Sequence, residues 1–157
     1  MTLEVIEPLH DADALAALHT ACFERPWSGD AFAKLLRGAG VHALGTSQGF
    51  IVIRCVADEA EILSLGVVPA ARGAGHGRDL VRAAAHLAAS AYQVRHIFLE
   101  VAANNHAARA LYSGLGFICH GSRPRYYANI DAHLMRCDLR ACGWMPVDCE
   151  KKGDCKL

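Results

Sequence analysis

The stretch GVVPAARGAGHGRDLVRAAAHLAAS, Gly66 to Ser90, decides the fold. A run rich in β-branched residues stops at Pro69. Arg72 follows, then glycines at 73, 75 and 77, and then an alanine-rich segment whose helical pattern covers Gly75 to Ala91. A strand that passes through a glycine loop straight into a helix is a way to present bare backbone to a ligand. Gly73, Gly75 and Gly77 lack Cβ atoms, so the chain can approach a ligand closely and take dihedrals closed to other residues. The first N–H groups of the helix have no partner within it and carry the positive end of its dipole. The combination suits a phosphate or a diphosphate, and Arg72 and Arg78 add charge at either end of the loop.

Two familiar phosphate loops are excluded. A dinucleotide fingerprint needs a third glycine where Arg78 stands, and a Walker A loop needs a Gly-Lys-Ser/Thr triplet that the chain lacks.

Outward from this loop, the pattern alternates strands and helices. LEVIE (3–7) alternates like a short strand. DADALAALHTACF repeats apolar residues at helical spacing with Asp11 as N-cap, and Ser28 caps a second helix that Gly38 and Gly40 end. VHALGTS and GFIVIRCVA form a hairpin pattern, and AEILSLGVV the strand before the loop. RHIFLEVAA is a strand, NNHAARALYSGLG a helix with an Asn cap, and FICHGS and AHLMRCDL two final strands. The order β-α-α-β-β-β-α-β-α-β-β predicts an α/β (α+β) single domain with a mixed central sheet of about six or seven strands flanked by helices. The domain is expected over residues 1–140. Residues 141–157 lose all periodicity and are expected to form a flexible tail.

A second informative stretch is IFLEVAANNHAARALYSGLGF, Ile97 to Phe117. Glu100 shares strand parity with Phe98 rather than with a polar face. A carboxylate there is costly unless paired or used, so an edge-strand salt bridge and a chemical role are both open. Asn105 opens the following helix, where capping is the simplest role. Tyr112 lies seven residues further on, nearly on the same helix face, where a core tyrosine with a satisfied hydroxyl is the simplest role.

The loop residues resemble the coenzyme A loop of the GNAT N-acetyltransferase superfamily, whose signature of Arg or Gln, two residues, Gly, one residue, then Gly or Ala is matched by Arg72, Gly75 and Gly77. LEV, the Asn, LY and GLGF are similar to the ribosomal-protein-alanine N-acetyltransferase branch of that superfamily. So are CFERPWSGDAFAKLL and RPRYYANIDAHLM, which contain Arg123, Tyr126, Tyr127, Asp131 and Ala132. The resemblance implies that Glu100 is the general base and Tyr112 the general acid. It implies that acetyl-CoA, the co-substrate, is held by Arg72, Gly73, Ala74, Gly75, His76, Gly77 and Arg78, by Leu65, Gly66 and Val67 beside the thioester, and by Asn105. The implied acceptor is a protein N-terminus, the alanine of a small-subunit ribosomal protein. Two departures stand out. Ala102 replaces an Arg that the branch often carries after LEV, which bears on the identity of the peptide. Gly66 stands where Ala is common, expected to be a mild change.

The bulk numbers fit a single globular domain. The 157 residues are 53% hydrophobic and 20% charged, with 16 basic against 16 acidic side chains. That balance gives no support to non-specific nucleic-acid binding. No apolar stretch reaches membrane-spanning length and the N-terminus carries no signal-like leader, so a cytoplasmic protein with no membrane partner is the expectation. Cys22, Cys55 and Cys119 lie in helix or strand patterns and are expected to fill core. Cys137, Cys142, Cys149 and Cys155 lack metal-ligand spacing, so no metal is expected. Oligomeric state is left open. Two alternatives remain: acetylation of a small amine, for which Asp131 and Glu24 are the acidic candidates, and a coenzyme-binding module without turnover.

Overall fold

The computed structural model describes residues 4–127 and 129–141, with the backbone alone for Tyr126 and Tyr127. The elements are β1 (Glu7–Pro8), α1 (Ala12–Cys22), α2 (Gly29–Leu36), β2 (Val41–Gly45), β3 (Gly49–Val56), β4 (Glu59–Val67), α3 (His76–Tyr92), β5 (His96–Ala102), α4 (His106–Gly114), β6 (Ile118–Tyr127) and β7 (Ile130–Asp138). A short 3₁₀ turn, Pro69–Ala71, joins β4 to the glycine loop. The strands form a seven-stranded mixed sheet in the order β1-β2-β3-β4-β5-β7-β6. The expected α/β class and strand count hold. The tail cysteines 142, 149 and 155 lie outside the described residues.

The chain divides into two compact units. The first comprises Met1–Cys55 and Ile62–Ala84. Its two opening helices start where the sequence places their caps. The Asp11 carboxylate accepts the N–H groups of Asp13 and Ala14 at 2.9 and 3.2 Å, and the Ser28 hydroxyl accepts that of Ala31 at 3.1 Å. The antiparallel β2–β3 hairpin pairs Val41 with Arg54 through Gly45 with Phe50. Its inward residues Ala43, Phe50 and Val52 form a core with Leu15 of α1 and Phe32 of α2, and Leu9, Leu18, Leu35 and Leu63 pack around it.

The N-terminal strand is shorter than the sequence suggests. Among the described residues, only Glu7 and Pro8 pair there, with Gly45 and Leu44. Glu4 works through its side chain instead, accepting the Ser47 N–H at 2.8 Å and the Ser47 hydroxyl at 2.6 Å. Those bonds hold its carboxyl below the usual range. Proline at position 8 removes a ladder donor, which suits a stub of edge strand.

The second unit comprises Val56–Glu61 and Ala85–Leu157. Within it β4 runs parallel to β5, with Glu59 to Glu61 opposite His96 to Phe98. Strand β5 pairs antiparallel with β7 from His96–Asp138 to Ala102–Ala132. Strands β6 and β7 form a long hairpin whose register shifts between Cys119 and Gly121 and again between Arg123 and Tyr127. Both strands run further than the sequence pattern indicates, because irregular register destroys the alternation that marks a strand.

Candidate active site

In the first unit β4 ends at Val67, and the chain turns through Pro69–Ala71 into the glycine loop. Gly73 and Gly75 have φ values of 82° and 91°, while an added Cβ at either would meet open space. Glycine is thus required there by backbone conformation and not by crowding. Helix α3 begins at His76, and its first bond runs from the Asp79 N–H to the Gly75 carbonyl at 3.1 Å. The amides of His76, Gly77 and Arg78 head the helix without partners inside it. Gly77 is therefore a first-turn residue of α3 and not part of the loop proper. This geometry fits a diphosphate.

Arg72 does more than lend charge. Its Nε donates to the Val67 carbonyl at 2.9 Å, tying the loop back to the end of β4. Its guanidinium also stands beside Cys22 at the end of α1. Burial pushes the Cys22 thiol up, and Arg72 acts against that shift. Gly66 adjoins the same place. A Cβ built on it would lie 2.8 Å from Phe50 Cε1 and 3.0 and 3.1 Å from Cys22 Sγ and Cβ. The expectation that glycine for alanine is a mild change fails here: β4 has no room for the methyl.

Cys22 borders an aromatic cluster that the sequence reading missed. His19, only 3% exposed, stacks on Phe23 at 4.3 Å and Trp27 at 4.9 Å, with Phe32 and Phe50 at 5.4 and 5.7 Å. Its Nδ1 accepts the Trp27 N–H at 3.0 Å, which requires the neutral ring. Burial pushes its pKa below the ordinary value in the same sense. His19 therefore pins the Pro-Trp-Ser turn between α1 and α2. The legible signal was a histidine four residues after Leu15 on the apolar face of a helix, followed by Phe23 and Trp27.

In the second unit Glu100 takes the face that its parity indicates. Along β5, Ile97, Leu99 and Val101 are buried, while His96, Phe98, Glu100 and Ala102 are partly exposed. The Glu100 side chain is 19% exposed and its Oε1 stands 3.2 Å from Nη1 of Arg123, whose side chain is 56% exposed. A half-exposed pair of this kind contributes at most about 1 kcal/mol to stability. Asn105 is the N-cap of α4, its Oδ1 accepting the Ala108 N–H at 3.1 Å. The amide nitrogen is the end of that side chain able to donate to a ligand. Tyr112 is buried on α4, its ring 5.5 Å from that of Phe117.

One further expectation needs correction. Cys119 is exposed, not core: it lies on β6 at the start of a register shift, its Sγ donating to the Gly121 carbonyl at 3.4 Å and 3.9 Å from His133 Nδ1. Cys55 and Cys137 are buried as expected for small apolar residues, and burial pushes the Cys55 thiol up. Asp131, one of the two acidic candidates for a cationic substrate, is engaged through one of its oxygens. Its Oδ1 accepts the Arg125 N–H at 3.0 Å, fixing the β6–β7 turn where Arg125 takes φ 54°. Among the described residues, no helix is long and apolar enough to cross a membrane.

A glycine loop that heads a helix after the fourth strand, in a mixed sheet of this order, is the arrangement that the resemblance to acyl-coenzyme A-dependent transferases implies. The model of the Acetyltransferase (GNAT) family matches residues 12–117, and the chain belongs to that family. It is an acetyl-CoA-dependent N-acetyltransferase. Among curated relatives it is similar to the N-alpha-acetyltransferase RimI of Mycobacterium tuberculosis, 34% identical over 141 residues that cover 82% of this chain and 87% of the relative. Among solved structures it is similar to the ribosomal-protein-S18-alanine N-acetyltransferase from Escherichia coli, with a TM-score of 0.79 and 28% identity over 87% of this chain and 94% of that one. A chain of the NatC complex bound to Gag peptide and CoA also matches, with a TM-score of 0.73 and 27% identity over 86% and 98% of the two chains.

Proposed function

We propose that the protein acetylates the N-terminal amine of a protein, the alanine of a small-subunit ribosomal protein. The observation that carries this reading is Glu100, a mostly buried carboxylate on β5 of a GNAT acetyltransferase whose relatives are named for alanine N-termini. The amides of His76, Gly77 and Arg78, with the loop from Arg72 through Gly73, Ala74 and Gly75, take the diphosphate of acetyl-CoA. Leu65, Gly66 and Val67 lie along the thioester and offer a backbone N–H to the developing oxyanion. Asn105 donates to the coenzyme from the head of α4.

An α-amino group has a pKa of about 7.7–8, so near neutrality it needs little help to lose its proton. Glu100 accepts that proton directly or through one water. The amine attacks the thioester carbonyl, the tetrahedral intermediate collapses, and the carbon–sulfur bond breaks. Tyr112 gives a proton to the departing thiolate. The transfer is direct, so no cysteine serves as a nucleophile.

The test is a panel of short peptides varying the first residues, with acetyl transfer read by mass, together with an N-blocked, lysine-containing peptide. Preference for the Ala-starting peptide is the expected result. Preference for the N-blocked peptide moves the function to side-chain acetylation. Binding of acetyl-CoA with no transfer to any amine makes the protein a coenzyme-binding module.

A further inference from the structure

A cavity of about 460 Å³ lies in the second unit, between α4 and the β6–β7 hairpin. Helix α4 lends it His106, Arg109 and Ser113, and the strands lend Cys119, His133 and Met135. The helix residues recur at spacings of three and four, so they share one face of α4. None of the residues assigned to acetyl-CoA or to proton transfer lines this cavity. Its basic lining is His106, Arg109 and His133, and no lining residue is acidic.

Arg109 supplies the fixed charge. Its Nη1 donates to the Ala103 carbonyl at 2.8 Å, which holds a part-buried guanidinium in place. Among the described residues no carboxylate pairs with it. A guanidinium has five N–H donors and this bond uses one, so the others can serve an anion.

Cys119 supplies the reactive group. It is exposed, and its Sγ donates to the Gly121 carbonyl at 3.4 Å and lies 3.9 Å from His133 Nδ1. Turning the S–H from the carbonyl to a neutral imidazole gives the proton a place to go. The thiolate so formed is the species that attacks a disulfide. An exposed thiol alone makes no site. Here a cavity surrounds it, and a charge without a carboxylate partner selects what enters.

We propose that this cavity is a modification site, where Cys119 forms a mixed disulfide with a small anionic disulfide drawn in by Arg109. The Cys119 thiolate attacks one sulfur of the reagent. A new sulfur–sulfur bond forms and the old one breaks. One half of the reagent stays on Cys119, which is oxidised; the other half is reduced and leaves as a thiolate, taking up the proton that His133 received. The site is separate from acetyl transfer and does not depend on it.

The experiment treats the protein with oxidised glutathione, bis(hydroxyethyl) disulfide and cystamine, which are anionic, neutral and cationic. Peptide mapping by mass reads the rate at Cys119 in the folded chain and in the urea-unfolded chain. Coulomb's law across several ångströms of wetted surface predicts an anionic-to-cationic rate ratio about threefold or more higher in the folded chain than in the unfolded one. High salt should shrink that factor. Arg109→Gln should bring it close to one and Arg109→Lys should restore it, with thermal melting to check folding. His133→Gln should slow all three reagents alike. The comparison in the parent needs no variant, so it decides the matter even where Arg109→Gln fails to fold. A factor near one in the parent, a preference for cystamine, or a factor that survives in folded Arg109→Gln overturns the proposal. Adducts that map to other cysteines while Cys119 stays free overturn it as well.

Discussion

Substituting Gly66 by alanine tests the packing behind β4. The new methyl would stand 2.8 Å from Phe50 Cε1 and about as close to Cys22, at 3.0 and 3.1 Å from its Sγ and Cβ. Neither neighbour yields easily. Phe50 is fully buried, with His19, Phe23 and Phe32 around its ring at 5.7, 6.5 and 6.5 Å. Cys22 is held between this cluster and the Arg72 guanidinium. Overpacking of this kind costs about 1–3 kcal/mol. For a chain of this size each kcal/mol lowers Tm by about 2–4 °C, so a fall of roughly 2–12 °C is expected. Thermal and urea denaturation measure it. Trimming Phe50 to leucine removes the closest contact, so Gly66→Ala should cost less in a Phe50→Leu background by about 0.5 kcal/mol or more. Acetyl transfer should fall as well, because Gly66 lies between Leu65 and Val67 on the strand proposed to face the thioester. A Tm within one degree of the parent, or the same cost in both backgrounds, refutes the reasoning.

Four further outcomes follow from the same geometry. Glu100→Gln should lower acetyl transfer at every pH tried while the protein melts within a few degrees of the parent; equal rates remove Glu100 from the mechanism. Tyr112→Phe should reduce turnover far more than acetyl-CoA affinity, and equal losses in both would contradict its role as acid. Asp11→Ala should destabilise the protein by about 1 kcal/mol through loss of the α1 cap, read by urea denaturation. His19 is held neutral, with its folded pKa below the unfolded value of about 6.5. Its contribution is therefore complete above about pH 6.5 and is lost as pH falls below that value. His19→Phe should remove that part of the acid-side decline in Tm, and an identical decline in the variant counts against the assignment.

What the sequence reveals and what it hides divide along physical lines. Asp11, Ser28 and Asn105 are legible because a cap is a local interaction between a side chain and amides two or three residues away. The glycine loop is legible because positive φ at Gly73 and Gly75 leaves a compositional trace. The parity of Glu100 follows from the two-residue period of a strand. Its partner does not, since Arg123 meets it only through the register of two intervening strand pairings. Cys119 fits a strand pattern, yet exposure depends on the sheet position and the register shift beside it. The crowding at Gly66 involves α1, β3 and β4 together, which no single segment records. The alternation of residues 3–7 promises a strand, but the Glu4 carboxylate binds Ser47 and, among the described residues, only Glu7 and Pro8 pair.

The central claim is that amides heading α3 grip the diphosphate of the coenzyme, and titration calorimetry tests it most directly. Acetyl-CoA and acetyl-pantetheine carry the same thioester, and only the first has a diphosphate. The account predicts saturable binding of acetyl-CoA at one site and binding of acetyl-pantetheine at least about tenfold weaker, as loss of a charge-assisted anion site requires. Equal affinity for the two, or no uptake of acetyl-CoA by the folded chain, would contradict it.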